Sequence, residues 1–481
     1  MHRSSVNLRN IQQYEKEVSA FFLLLYYESF TMAYSDLLIW MICSLGIIFF
    51  LAGAITSFIE KELRAGLILL IISLSVAFVL AALLVFLPDY HTLKFIFIVV
   101  VLLFLIVVFL PISATGKYRF ESPVARFHEE DAVLSRRKLL PGTAEYKSYY
   151  DKYPDRRNPD DEARHKPGLL SPDAKYFNAG TFAAAKSNFI LTDHLHALAE
   201  LPPDAEKSEL DGNKTKAFIK RWMLETGAHS IGFTALKDHH LYSYKGRGPE
   251  KGRKILNDLP HAIAITVEMD HDMMKPAPEG TTVMESAEQY LQSGILASKL
   301  TGFIKSMGYN AKAHIDGQYE VICPLVAADA GLGMIGRMGL LLTPVLGPRV
   351  RIVVVTTDIP LEYADNLKHD LSMLDFCSRC KKCAKVCPAN AIPMDSLKEI
   401  NGSRRWRINS EACYLFWTIS GTDCGRCVIS CPYAHPDNWF HRFIRWGIKK
   451  NLVFRVMAVK LDDIFYGERP KIKPLPHWAK L

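Results

Sequence analysis

Three uncharged apolar runs crowd into 80 residues near the N-terminus: Leu37–Phe58 with 22 residues, Ala65–Leu87 with 23 and Phe95–Gly116 with 22. At a rise of ~1.5 Å per residue each reaches roughly 33 Å as a helix, enough to cross a hydrocarbon core of about 30 Å. One such run could be a buried core helix. Three in succession, joined by loops of 6 and 7 residues, predict a three-helix membrane anchor over 37–116, because a spanning segment must satisfy its own backbone hydrogen bonds. The earlier run Phe21–Tyr27 is too short to span and belongs to a 1–36 tail. Several spans without a cleavage site argue against a secretory signal. With 49% hydrophobic and 22% charged residues the chain is neither disordered nor a coiled coil. Its net charge of +8 suits an anionic membrane surface or a nucleic acid and selects neither.

Loop charges suggest an orientation. Lys61 and Arg64 lie between the first two spans, and Lys117, Arg119, Arg126, Arg136, Arg137 and Lys138 follow the third. With three spans these regions share one side. Arg3, Arg9, Lys16 and Lys94 are assigned to the other. The positive-inside rule then puts the large C-terminal body in the cytoplasm. No twin-arginine pair precedes the first span, so no export signal for a folded body is visible.

Residues 117–178 are rich in Pro, Asp, Arg and Tyr, without apolar periodicity, and read as a surface connector. From 179 the pattern is globular. LPHAIAITVEMD (259–270) and RVRIVVVTTDIPL (349–361) have strand composition. Thr282–Glu285 matches a capping box, Leu296, Leu300, Phe303, Ile304 and Met307 recur at helical spacing, and Gly308 stops that helix. A mixed α and β domain over 179–370 is expected.

Eight of the ten cysteines fall between 377 and 431. Cys377, Cys380, Cys383 and Cys387, followed by Pro388, form the C-x2-C-x2-C-x3-C-P run of two-cluster ferredoxins, in which the fourth cysteine serves the other cluster. Cys424, Cys427 and Cys431, followed by Pro432, form a second group, with Cys413 upstream. The ligand count closes if Cys431 joins Cys377, Cys380 and Cys383, and if Cys387 and Cys413 join Cys424 and Cys427. Zinc sites rarely use three closely spaced cysteines followed by C-P, and a cytoplasmic body disfavours disulfides. Two 4Fe-4S clusters in a ferredoxin-like domain over 371–440 are therefore expected. Cys43 and Cys323 sit in apolar surroundings and read as packing residues. Trp439, Phe440, Phe443, Ile444 and Trp446 are spaced as a buried helix face, opening a 441–481 segment expected to pack on the core.

GLGMIG (331–336) matches G-x-G-x-x-G, with Asp358 near the spacing of a ribose-binding acid. The glycines run into RMGLLLTPVLGPRVRI, where Gly339, Pro344, Gly347 and Pro348 interrupt any helix, so a dinucleotide-binding turn is disfavoured. A glycine loop packed on another flat cofactor fits better.

GLGMIGRMGLLLTPVLGPRVRIVVVTTDIPL, the two cysteine groups and CPYAHPDNWFHRFIRWGIKKN occur in the order of the corrinoid-dependent reductive dehalogenases, which residues 175–460 resemble. The resemblance implies a nitroreductase-like α+β core binding a base-off corrinoid, with Gly331, Gly333 and Gly336 against the cofactor. It implies a small organohalide substrate, no nucleic acid, and an electron donor that is a ferredoxin, a flavodoxin or quinol-linked. The membrane anchor, and with it contact to membrane lipid, lies outside the resemblance. By resemblance the proton donor is Tyr290 of AEQYLQSGILASKL, its arginine partner is Arg349 of G-P-R, and Asp316 of GYNAKAHIDG stands where the family has asparagine. Asp238–His240 has only the first half of D-x-H-x-x-G, consistent with a cobalt without a protein ligand. Two rivals remain. The related epoxyqueuosine reductases place an acid where this helix reads E-Q-Y-L, and a membrane-tethered iron–sulfur carrier would need no cobalt.

Overall fold

A computed structural model describes residues 8–86, 90–112, 115, 116, 118–199, 202–204, 206–364, 367 and 369–480. The first seven residues of the expected tail, Lys117 and Leu481 lie outside the described residues. The chain divides into two compact units. One comprises the residues to Pro111 with Ile464–Tyr466; the other comprises Ile112–Asp463 and the residues from Gly467 onward.

In the first unit three helices follow one another: Leu8–Ile59, Leu63–Ala81, which continues as a π-helical turn over Ala82–Phe86, and His91–Phe109. Three stretches within them are long and apolar enough to cross a membrane: Tyr34–Ile59, Leu63–Val85 and Thr92–Phe109. Two expectations change. The 1–36 tail is not a separate element, because from Leu8 it is continuous with the first span. The third span ends at Phe109 rather than Gly116, because Leu110 is extended ahead of Pro111, the conformation that a following proline favours. Lys94, read as a loop charge, is buried on the third helix with its ammonium 2.7 Å from Asp36 on the first. A cation among apolar helices needs such a partner.

The second unit holds a four-stranded antiparallel sheet of order β1-β2-β6-β3, with β1 Ser230–Ala235, β2 His261–Glu268, β3 Ala311–His314 and β6 Val350–Thr357. The strand expectations at 259–270 and 349–361 correspond to β2 and β6, which pair from His261↔Thr357 to Glu268↔Val350. Their β-branched residues suit a sheet covered on both faces. Ile263, Ile265, Val353 and Val355 face Leu296, Leu300 and Ile304 of the helix Gly280–Ser306. Ala262, Ala264 and Val354 face Val326, Ala327 and Ala328 of the helix Cys323–Asp329. The result is a helix–sheet–helix α+β core.

Local details differ from the sequence reading. The long helix begins at Gly280, so Thr282 is an interior residue and no capping box forms there. Glu285 instead accepts hydrogen bonds from the Asp270 N–H at 2.6 Å and Gln289 Nε2 at 3.1 Å. The glycine loop is a β-hairpin of β4 Met334–Ile335 and β5 Leu341–Leu342, not a strand–turn–helix. The connector is more than a drape. Tyr146, Tyr149 and Tyr150 are buried on a short helix, and buried Arg136 binds Asp160 at 2.8 Å and Glu411 at 2.7 Å. The helix Trp439–Lys450 exists, but it buries Phe440, His441, Arg445, Gly447 and Ile448 while Trp439 and Trp446 stay exposed. The C-terminal segment packs largely on the cysteine region, through Ile448, Ala458 and the buried Arg455–Asp375 pair at 2.7 Å.

His314 closes β3 inside this core. Its Nδ1 accepts the Glu320 N–H at 3.2 Å and its Nε2 lies 3.0 Å from Thr356 Oγ1. Burial holds its pKa down at about 3. The unfolded chain therefore binds a proton that the folded chain refuses once pH falls below the ordinary value near 6.5. This contribution makes stability fall as pH drops from 6.5 toward 3, by up to ~1.4 kcal/mol per pH unit. Melting of the detergent-solubilised protein from pH 7 to pH 4 should be steeper for the native chain than for His314→Gln; equal slopes would refute this.

Candidate functional site

The long helix places Tyr290 beside the end of β6, where Arg351 stands opposite Val267 of β2. The Arg351 guanidinium carbon lies 4.5 Å from the centre of the Tyr290 ring. Arg351 Nη2 donates to Asp423 Oδ2 at 2.7 Å and to Ser286 Oγ, and Ser286 Oγ donates to the same carboxylate. Ser286 lies one helical turn before Tyr290, so one helix presents both the phenol and part of its cation's support. Asp423 immediately precedes Cys424, which ties this corner to the cysteine region.

Tyr290 and Arg351 line a cavity of about 230 Å³ with Tyr242, Tyr319, Cys323 and Leu341. The remaining walls are mostly aliphatic, with Val321, Ile322, Val350 and Ile352 among them. The Arg351 guanidinium pulls the Tyr290 pKa down, but burial and the Asp316 and Asp423 carboxylates outweigh it, leaving it at about 12. The phenol is therefore protonated at neutral pH. Burial also pushes up the Cys323 thiol and the Tyr319 phenol. Cys323, read as a packing residue, is buried and also faces this cavity.

The expected site residues are only partly brought together. Asp316 stands near the phenols, with Tyr319 Oη 3.4 Å from its Oδ1. Burial raises its pKa, against Arg247 and Arg351, which lower it. Arg349 is not the partner of Tyr290. It is fully buried, and its Nε donates to Ala434 O at 3.1 Å while its Nη1 donates to Glu268 Oε1 at 2.6 Å and to Met269 O. It clamps the chain after Cys431 to the end of β2. Arg351 holds the place expected for Arg349. The strand's two-residue period could have flagged Arg351, but G-P-R drew attention to the first arginine.

The three glycines of the loop lie against neighbouring chain. A Cβ on Gly333 would lie 2.0 Å from Leu342 O, and one on Gly336 would lie 1.7 Å from Leu342 Cδ1. Gly333 is required by close packing of backbone within the β4–β5 hairpin, and Gly336 packs on the Leu342 side chain. Gly331 turns at φ +79° against Leu367.

The eight clustered cysteines form two sets of thiols. Burial, followed by the neighbouring Cys377 and Cys380 thiols, pushes Cys431 well up, and Cys383 adds to it. Cys424 is raised by burial and by Cys413 and Cys387, and Cys413 by burial and Cys387. Cys427 senses Cys424, Cys413 and Cys387, together with Cys383 of the other set. The groupings are therefore Cys377, Cys380, Cys383, Cys431 and Cys387, Cys413, Cys424, Cys427, in adjacent positions. Left-handed backbone at Lys381 (φ 55°) turns the chain between Cys380 and Cys383, and at Cys424 and Gly425 (φ 65° each) it turns the chain toward Cys427. Thiols crowded this closely become stable thiolates only around a cation, so the donor set fits iron–sulfur cubes.

A third donor group, His239, His240 and Asp329, also comes together. The Lys237 N–H donates to His240 Nδ1 at 3.1 Å, which leaves the proton of the neutral ring on Nε2. The Lys237 ammonium already sits 2.8 Å from Asp329. This group is an ion-pair cluster.

Residues 376–435 match the 4Fe-4S dicluster domain model. The chain is 31% identical over 226 residues to a tetrachloroethene reductive dehalogenase of Sulfurospirillum multivorans, covering 45% of this chain and 44% of that one. It is 33% identical over 214 residues to a tetrachloroethene reductive dehalogenase of Desulfitobacterium hafniense, covering 42% and 38%. A solved reductive dehalogenase, described as B12-dependent, superposes with a TM-score of 0.55 at 23% identity, over 65% of this chain and 46% of that one; it shares the fold. The resemblance to reductive dehalogenases is borne out, and the chain spans less than half the length of the curated relatives it matches.

The thiol grouping makes an unequal prediction. Cys431→Ser should remove about half of the bound iron and abolish the spectroscopic signal of the Cys377, Cys380 and Cys383 set. Loss of the Cys424 and Cys427 signal instead would reverse the grouping.

Proposed function

We propose that this protein is a reductive dehalogenase, replacing a carbon-bound halogen by hydrogen with two electrons and one proton, and releasing halide. The observation that carries the reading is a protonated phenol, Tyr290, under the Arg351 guanidinium at an apolar cavity beside two sets of four thiols. In this reading Cys377, Cys380, Cys383 and Cys431 hold one 4Fe-4S cluster, and Cys387, Cys413, Cys424 and Cys427 hold the other.

The sheet and its covering helices form the nitroreductase-like core of the resemblance, and a base-off corrinoid is its implied cofactor. Polar atoms left without partners support a bound polar group here: Arg349 Nη2, Arg351 Nε, Asp423 Oδ1 and the hydroxyls of Thr281 and Thr282. Arg349, Arg351 and these threonines are the residues proposed to hold its periphery. When bound, the corrinoid supplies the low-potential metal chemistry that cleaves the carbon–halogen bond.

The chain's own residues supply the proton and the setting. Tyr290 Oη delivers its proton to the carbon that loses halogen. An acid of pKa about 12 is matched to a strongly basic carbon, and it gives up nothing to water at neutral pH. The guanidinium of Arg351 stabilises the phenolate left behind. Asp423 and Ser286 fix that guanidinium in place. The aliphatic walls exclude water, which would otherwise compete as proton donor. Asp316, whose pKa burial raises, supplies a carboxyl that accepts from Tyr319 Oη where the family has asparagine.

The substrate is proposed to be a small organohalide, since about 230 Å³ is below the ~300–1,000 Å³ of common ligand pockets. Electrons come from a ferredoxin, a flavodoxin or a quinol-linked donor. The body is proposed to face the cytoplasm, held to membrane lipid by the apolar helices. An epoxyqueuosine-reductase role is disfavoured because Gln289 of E-Q-Y-L stands where that family has its catalytic aspartate.

Tyr290→Phe should retain iron and cobalt yet lose halide release by roughly 10²–10⁴-fold, the usual worth of a general acid. Arg351→Lys should lower the rate less, keeping the charge but losing the fork that binds Asp423. Full activity in Tyr290→Phe would return the tyrosine to a packing role, and iron without cobalt in the native protein would favour the electron carrier. A reporter fused after Leu481 should read cytoplasmic; a periplasmic signal would overturn the charge argument.

A further inference from the structure

Six arginines are buried among the described residues: Arg136, Arg337, Arg349, Arg426, Arg445 and Arg455. Four have a carboxylate in ion-pair contact: Arg136 with Asp160, Arg349 with Glu268, Arg445 with Asp437 and Arg455 with Asp375. Arg337 and Arg426 have none. These two are also the arginines set against the cysteine thiols, one at each set.

Arg337 directly follows the third glycine of the hairpin loop, a position whose charge the glycine pattern alone does not explain. Its side chain is almost wholly buried and bonds only to backbone carbonyls. Nε donates to Cys377 O at 3.2 Å, Nη1 to Pro393 O and Asp395 O at 2.7 Å each, and Nη2 to Ser378 O at 3.4 Å. Its guanidinium lies 4.6 Å from the centre of the Trp406 ring, which fixes its plane. Set against it are the thiols of Cys383, Cys377 and Cys380, together with Asp395, whose carboxylate is taken at 2.6 Å by Lys398. Arg426 lies inside C-G-R-C. It reaches Cys424 and Cys427, and its Nη2 donates to Pro470 O.

Carbonyls satisfy the donors of a guanidinium but leave its charge uncompensated, and a buried charge without a counter-charge is strongly disfavoured. The missing anion has to sit where these arginines point. A 4Fe-4S cube held by four thiolates is anionic and becomes more so with each electron added. We propose that Arg337 and Arg426 are the built-in counter-charges of the two clusters, one each, and that they raise the reduction potential of the cluster they face. The inference rests on the two-cluster reading above. It assigns the arginine after the glycine loop to electron transfer, distinct from the Tyr290–Arg351 corner where the proton is handled. The two arginines are not equivalent. Arg337 is locked by four carbonyls and an indole, whereas Arg426 has one carbonyl and greater exposure, so Arg337 should exert the larger effect.

The test is an EPR-monitored redox titration of the full-length protein in detergent, with iron and sulfide measured on the same samples. Arg337→Gln keeps polarity and removes charge. It should shift one cluster midpoint to lower potential by at least a tenfold change in the reduction equilibrium, about 59 mV for one electron, and leave the other midpoint in place. Arg426→Gln should move the other midpoint. Arg337→Lys, which keeps the charge, should stay near the native value. If Arg337→Gln cannot be loaded with iron while Arg337→Lys can, the charge is needed for assembly, which also supports the inference. Loaded Gln variants with both midpoints unmoved would overturn it. So would a lysine variant that behaves like glutamine, since Arg337 would then be only a clamp on carbonyls. Absence of iron–sulfur signals from the native protein would instead refute the two-cluster reading itself.

Discussion

Charge that has been taken out of water must be answered nearby, and most of the second unit is arranged around that requirement. Eight cysteines converge, and burial and neighbouring thiols disfavour the thiolates of Cys424 and Cys431 among them. Around them run buried ion pairs that tie distant segments together: Arg455 to Asp375, Lys382 to Asp462 and Asp463, and Arg136 to Asp160 and Glu411. Each joins a residue of the cysteine region, or of a segment packed on it, to chain far away in sequence. The thiol sets are thus held by a frame whose own charges are closed, leaving Arg337 and Arg426 open toward the thiols.

The Tyr290–Arg351 corner obeys the same rule on a smaller scale. One cation, Arg351, is shared by the Tyr290 ring, the Ser286 hydroxyl and the Asp423 carboxylate. The carboxylate neutralises the guanidinium, so its pull on the phenol is moderated and Tyr290 keeps a pKa of about 12. Because Asp423 adjoins Cys424, this corner and the second thiol set share one loop. The apolar helices solve a different problem: their exposed aliphatic surfaces suit lipid, and Lys94 is admitted only with Asp36 beside it.

Much of this was legible in the residues because it rests on short-range or periodic signals. Apolar run length marked the three helices, and β-branched runs marked β2 and β6. Cysteine spacing implied a crossed ligand grouping, since three cysteines cannot complete a set of four and the missing ligand has to come from the other group. Boundary errors arose where one residue overrode a pattern. Pro111 ended the third span early, and the long helix started two residues before Thr282. The connector misled because its buried surface is carried by tyrosines and ion pairs, which leave no apolar period.

The family resemblance pointed to Tyr290; the sequence by itself determined the number and approximate placement of the apolar helices, the mixed α and β character of the core and the cysteine arithmetic. Spacing along one chain is enough for those. Tertiary structure decided which arginine meets that tyrosine. Arg349 and Arg351 are two residues apart, and only the closing of residue 434 onto the end of β2 captures the first and leaves the second for the phenol. It also decided that Gly333 and Gly336 serve a hairpin, and that two buried guanidiniums lack carboxylates. Those are facts about neighbours far apart in sequence, and no local pattern encodes whether a buried charge has found its partner.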